Sequence, residues 1–367
     1  MTPASLASPP APAKARSPVR PQGSSRHRGG RGAAHSAAGA GPRSRLPALI
    51  ALALLIPVVL AGCGGKSFAP STTLASFPSG EPGHGKPAVT LGTKNFTEEF
   101  ILGQLYAQAL EAKGYTVHLV ENIGPTETVD PELISGQIDL YPEYTGVILS
   151  TLANINAGAP GGGGAASATS PPKSAAQAYE EAARFEDHRG FTLLQPTPFQ
   201  DADRVATLPA YAEAHGLHTM SDLAKLRPFT YGGPPENQTR YEGVVGMRQA
   251  YGLTNATFVP FPIGDQYQAL NQHRVDTIAI FTTDGQLLAR RYAILSDPKN
   301  IFGYQNVAPV VSKDVLSREG PAFAQTLNAV SSRLTTSTMQ HMNAEVVLDH
   351  RSPATVASQF LTSELLK

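Results

Sequence analysis

The chain has 367 residues with 29 basic and 29 acidic side chains, 41% hydrophobic residues, no Trp and one Cys. A single cysteine excludes a disulfide scaffold within the chain. The first 62 residues carry eight Lys or Arg and no acid, so from Cys63 onward 21 basic face 29 acidic residues, a net of −8; such an acidic body is a poor partner for nucleic acid.

Residues 1–45 set Lys14, Arg16, Arg20, Arg26, Arg28, Arg31, Arg43 and Arg45 among Pro, Gly, Ser and Ala, a composition that builds no core. The uncharged apolar segment "LPALIALALLIPVVLAG" (46–62) follows, and the whole of 1–62 reads as a signal peptide with a long basic n-region. "LAGC" (60–63) resembles the lipobox of bacterial lipoproteins, in which cleavage precedes an acylated Cys. Cys63 is therefore the candidate lipidation residue, and the protein is expected outside the cytoplasm, lipid-anchored to the cell membrane. A plain transmembrane anchor is the alternative. Residues 63–87 are rich in Gly, Ser and Pro and predict a flexible tether. Folding is expected from Ala88, with length for one large domain or two lobes.

From there the pattern is α/β. "AVTLGT" (88–93) predicts a strand. "TEEFILGQLYAQALEAKG" (97–114) predicts a helix with Thr97 as its cap and Gly114 as its stop. "YTVHLV" (115–120) predicts a second strand, 127–135 a helix stopped by Gly136, and "QIDLY" (137–141) a third strand ending before Pro142, with a helix beginning near Thr145. This alternation implies a mainly parallel sheet with right-handed crossovers. Ligands reach such a sheet at the carboxyl ends of its strands. Lys94, Asn95 and Phe96 follow one such end, and Tyr141, Glu143 and Tyr144 another. A buried core would accept few of these side chains without partners.

The Gly-rich stretch 156–176 lacks the Gly-Lys-Ser/Thr of a phosphate loop and reads as a surface insertion. A second α/β unit follows, with strands at 205–208, 229–233, 257–261 and 275–281 and helices near 221–226, 241–251 and 265–273. Strands at 292–297 and 307–313 and helices over 321–334, 337–348 and 353–365 close the chain, the helices packing back on the first lobe.

Five blocks, "LGTKNFTEEFILGQLYAQALEAKGY", "IDLYPEYTG", "VDTIAIFTTDGQL", "VAPVVSKDVL" and "TTSTMQHMNAEV", together resemble the substrate-binding subunits of osmoprotectant ABC importers, which take glycine betaine, choline or carnitine. The resemblance implies a two-lobed, periplasmic-binding-protein-like (type II) clamshell with two crossover strands. It implies lobe one over 88–197 plus 286–367 and lobe two over 198–285. It further implies an osmoprotectant in the interlobe cleft, an ABC permease in the cytoplasmic membrane as partner, no enzymatic activity, and no cofactor or metal.

A quaternary ammonium has no N–H, so such a site holds it against aromatic faces. With no Trp in the chain, the cage must be Tyr and Phe. Tyr144 matches the family's cage tyrosine before Thr-Gly, and Glu143 is then a rim residue with Tyr141 packed beneath. Phe281 stands where relatives often have Tyr, and Thr197, followed by Asp201, Asp203 and Arg204, where some have another cage Tyr. Arg240 matches a family Arg and is a candidate for a ligand carboxylate, with a surface salt bridge as its alternative. Lys94, Asn95, Thr126, Thr145 and Thr283 complete the candidate ligand-binding set, together with Asp284, for which a hinge or capping role is the alternative. Tyr231 and Tyr267 read as core or rim, and Tyr304 as hinge support.

His215 and His218 stand three apart with Gly216 between them, no acid or Cys completes a metal site, and the pair reads as structural or solvated. No nucleophile elbow is present. A binder of a different solute in the same cleft and a sensor lobe signalling to a membrane partner are the alternative readings.

Overall fold

The computed structural model describes residues 74–153 and 171–366. The leader, Cys63 and most of the Gly-rich insertion lie outside them. In chain order the first elements are β1 (Val89–Lys94), α1 (Thr97–Glu111), β2 (Val117–Gly124), α2 (Thr126–Ser135), β3 (Leu140–Tyr144) and α3 (Thr145–Val147), the last continuing in wider turns to Leu152. Next come α4 (Ala175–His188), β4 (Phe191–Leu193), β5 (Asp203–Thr207), α5 (Pro209–His215), β6 (Phe229–Gly233), α6 (Gly246–Tyr251), β7 (Ala256–Pro260), α7 (Asp265–Asn271) and β8 (Thr277–Phe281). β9 (Ala293–Leu295), β10 (Val307–Ser312), α8 (Lys313–Glu319), α9 (Pro321–Ser331), α10 (Thr336–Val347) and α11 (Pro353–Glu364) complete the chain.

The strands form two five-stranded sheets, ordered β2-β1-β3-β10-β4 and β7-β6-β8-β5-β9. In each, four strands run in one direction and a single strand, β10 in the first sheet and β5 in the second, runs against them between two neighbours. The sheets are therefore mixed, with parallel pairing on one side and antiparallel pairing around that one reversed strand. Helices cover both faces of each. On one face of the first sheet Leu91, Leu102, Leu105 and Phe323 pack with Met339 and Leu361 of the C-terminal helices; on the other, Val129, Tyr141 and Val310 pack together. The second sheet buries Phe229, Tyr231 and Met247 on one side and Leu270, Ile278 and Ile280 on the other.

Several local expectations are corrected. β3 runs through Pro142 to Tyr144, because its antiparallel register sets Pro142 opposite Pro309 of β10. Neither proline has an N–H, so this pair falls where the ladder needs none. The N-cap of α1 is Phe96, and Thr97 is the first helical residue. Residues before Ala88 are not all tether. The Ala75 amide donates to Ser332 Oγ at 3.1 Å, Arg333 donates to the Ala75 carbonyl at 3.0 Å, and the Lys113 ammonium lies 4.2 Å from the Phe77 ring centroid. β9, expected in lobe one, pairs with β5 in the second sheet. The second crossing lies instead between β9 and β10. There Gln200 and Asn306 form an antiparallel bridge and the Asp201 amide donates to the Gln305 carbonyl at 3.0 Å, so the two crossings run side by side.

Candidate functional site

A cleft opens between the two sheets, its empty space roughly 450 Å³ with the open mouth included. β1 delivers Lys94, Asn95 and Phe96 to it, β3 Tyr144, the start of α2 Pro125 and Thr126, the crossings Asp201 and Gln305, and the second sheet Asp203, Arg240 and Phe281. A second cavity of roughly 440 Å³ adjoins it, lined by Glu98, Thr283, Asp284 and Asn343 and sharing Phe96, Asp201, Ile263 and Phe281.

The aromatic wall is built from both lobes. Phe96 and Phe281 stack with centroids 6.0 Å apart and planes 13° apart, and Phe96 stands 6.1 Å from Tyr144. The Lys94 ammonium lies 4.1 Å from the Tyr144 centroid and 5.8 Å from that of Phe96. It pairs with Glu143 Oε1 in a short contact and approaches Glu99 Oε1 at 3.8 Å. The Tyr144 hydroxyl donates to Glu98 Oε1 at 2.8 Å, and Asn343 Nδ2 donates to Glu98 Oε2 at 3.1 Å. Asp201 Oδ1 accepts from the Thr283 hydroxyl at 2.5 Å and the Thr283 amide at 3.2 Å.

These acids are withdrawn from water, and that disfavours their charged forms. Burial pushes Asp201 up to about 6, Asp284 to about 7 and Asp203 to about 8. Burial also lifts Glu99 to about 8 against the opposing pull of Lys94, and raises Glu98 well above the usual carboxylate range with help from Asp201. Burial works against ionisation of Glu127 too, but the hydrogen bonds and charge of Arg240 outweigh it and hold Glu127 below its ordinary value.

Of the residues expected at the site, Lys94, Asn95, Thr126, Tyr144, Arg240 and Phe281 line the first cavity, and Thr283 and Asp284 the second. Glu143 is fully buried behind the wall rather than on a rim, where Lys94 and the Thr126 hydroxyl, at 2.8 Å, hold it. Thr145 donates to the Tyr304 carbonyl at 2.8 Å and lines neither cavity. Arg240 is clamped by Glu127 through two bonds, of 3.0 and 2.7 Å. Asp284 accepts from the Phe281 amide at 2.8 Å and the Tyr267 hydroxyl at 2.6 Å, a capping arrangement. Thr197 sits at the crossing, donating to the Phe199 carbonyl at 3.1 Å, and is not part of the aromatic wall. Tyr231 and Tyr267 are buried. Sequence reasoning missed the wall role of Phe96 and the central place of Asp201. An aromatic two residues past a strand's carboxyl end, followed by two acids on a helix that buries both, was the available signal for the first. Among the described residues no group of His, Cys, Asp and Glu is arranged to hold a metal ion.

The profile of a family described as the substrate binding domain of ABC-type glycine betaine transport systems matches residues 87–363. A glycine-betaine-binding protein of Pseudomonas aeruginosa is 31% identical over 283 residues, covering 74% of this chain and 86% of that protein. The glycine betaine-binding protein YehZ of Escherichia coli is 29% identical, with 74% and 89% covered. A crystal structure of a glycine betaine/carnitine/choline ABC transporter shares the fold, with a TM-score of 0.59 at 24% identity over 76% of this chain and 98% of that one. The chain thus belongs to the family of substrate-binding domains of ABC-type glycine betaine transporters, which are solute binders rather than enzymes.

Proposed function

We propose that this protein captures a quaternary-ammonium or zwitterionic osmoprotectant, of the glycine betaine, choline or carnitine kind, in the cleft between its sheets and presents it to an ABC permease. The observation that carries the reading is the wall of Phe96, Tyr144 and Phe281 drawn from both sheets, with the buried Asp201 carboxylate at its base. Aromatic faces attract a cation that has no N–H to donate, and the carboxylate adds a charge that water screens poorly at this depth. A solute touching both lobes stabilises them in contact, which is the state a permease can distinguish.

Thermal unfolding of residues 64–367 with glycine betaine, choline, carnitine, proline and an unrelated sugar tests this. A ligand at about a hundred times its dissociation constant adds roughly 2.7 kcal/mol of stability, so quaternary amines should raise Tm and the sugar should not. A rise with the sugar alone would refute the reading. The working place of the protein is the outer face of the cytoplasmic membrane, held by lipid on Cys63. Accordingly Cys63→Ser should move the protein from the membrane fraction to the soluble one on fractionation of the expressing cells.

A further inference from the structure

A quaternary ammonium seated on the aromatic wall leaves the second cavity without a role. Phe96, Phe281, Ile263 and Asp201 line both cavities, so a substituent on a cation held against those rings has the second one open to it. Its polar lining is rich in hydrogen-bond acceptors. Glu98, Asp201 and Asp284 contribute three carboxyl groups, and no basic side chain lines it. Asp201 accepts from the Thr283 hydroxyl and amide through Oδ1, and Asp284 from the Phe281 amide and the Tyr267 hydroxyl through Oδ2. Asp201 Oδ2 and Asp284 Oδ1 thus have no donor among the described residues.

Asn343 adds an independent sign. It lines the second cavity and is 5% exposed. Its Nδ2 donates to Glu98 Oε2 at 3.1 Å and to the Thr283 carbonyl at 2.9 Å, while its Oδ1 is buried with no donor among the described residues. An acceptor left dry in this way costs stability unless something bound there supplies the donor. The acids point the same way. Burial raises all three, and the charge of Asp201 adds to the rise at Glu98 and Asp284, a repulsion that a bound cation relieves. The group is not arranged to hold a metal ion, which leaves N–H as the matching donor.

We propose that the second cavity is a subsite for a cationic N–H-bearing group, a primary ammonium or guanidinium, carried on the same solute as the quaternary ammonium. The group donates to Asn343 Oδ1, Asp201 Oδ2 and Asp284 Oδ1, and the protein prefers solutes with this second cationic end. The inference rests on the cleft being the solute site. An alkyl tail in the same place would strand the acceptors, and a site built to hydrogen-bond a substrate group discriminates strongly against the analogue that lacks it.

(3-Aminopropyl)trimethylammonium and butyltrimethylammonium are matched in length and differ in ending in an ammonium or a methyl group. Titration calorimetry near pH 8, above the values of about 6 and 7 at Asp201 and Asp284, should show the wild type binding the amine at least tenfold more tightly. In Asp284→Asn, which keeps an acceptor for Phe281 and Tyr267 and turns the cavity-side oxygen into a donor, that ratio should fall at least tenfold. Where this variant does not fold, Asp201→Asn, which keeps the acceptor for Thr283, takes its place with the same expectation. Equal affinities in the wild type, or a ratio unchanged in a folded variant, would overturn the subsite. So would failure of both compounds to bind where glycine betaine does, and each of these results leaves the solute-binding reading in place. If neither compound binds the wild type and no other quaternary amine shifts its unfolding, the functional reading falls, and the subsite with it.

Discussion

Phe281 contributes an aromatic face to the cleft from the second sheet, and its partner Phe96 comes from the first. A cation–π contact is worth about 0.5–2 kcal/mol, so Phe281→Ala should weaken binding of a quaternary amine by roughly 2- to 30-fold, measured by calorimetric titration. The acids below follow a different rule. Asp201, Asp284, Asp203 and Glu99 all have folded-state values above their unfolded ones, at about 6, 7, 8 and 8. The folded state therefore holds protons that the unfolded chain releases, and the associated stability is lost as pH rises through these values. Tm should fall between about pH 5 and pH 8, and Asp203→Asn should flatten that fall in a pH series of calorimetric scans. Over the same range a cationic ligand should bind more tightly as Asp201 ionises.

At the scale of elements, the Arg240–Glu127 clamp joins the loop after β6 to the first turn of α2, one lobe to the other. Arg240→Ala should therefore weaken all solutes by a similar factor, through a less favoured contact between lobes, rather than singling out those with a carboxylate; titration of betaine and choline on this variant checks it. Which parts were legible from sequence follows from how each is encoded. β6 was read at its observed limits, Phe229–Gly233, because its apolar run and closing glycines are local signals. Gly136, with φ of +74°, and Gly252, with φ of +68°, cap α2 and α6 where the helix periodicity stopped. α4 went unread because its inward positions include Ala178 and Ala182, too small to write an apolar stripe. The persistence of β3 past Pro142 depended on Pro309, more than 160 residues away, and no local pattern records such a pairing. The same holds for the site. Tyr144 and Lys94 follow strand ends and were found, whereas the clamp on Arg240 and the burial of Glu143 arise only when distant segments meet.

For the whole molecule, the repeated strand order of the two sheets and the paired crossings at Gln200 and Asn306 describe two similar bodies sharing one hinge. α10 lies beside it: Asn343 Nδ2 donates to the Thr283 carbonyl at 2.9 Å and Gln340 Nε2 to the Thr282 carbonyl at 2.8 Å. A Cβ added at Gly285 would stand 2.5 Å from the Ala344 backbone. The order β2-β1-β3-β10-β4 also sets a timetable. The strand that joins β3 to β4 is the last one in the chain, so a polypeptide emerging from its amino end holds the first sheet in two unjoined parts until residue 312 is available. β5 to β9, in contrast, are contiguous over 203–295 and can assemble while the first sheet waits. Pulsed hydrogen exchange during refolding should find amides of β6 and β8 protected before those of β3, and the reverse order would refute this sequence of assembly.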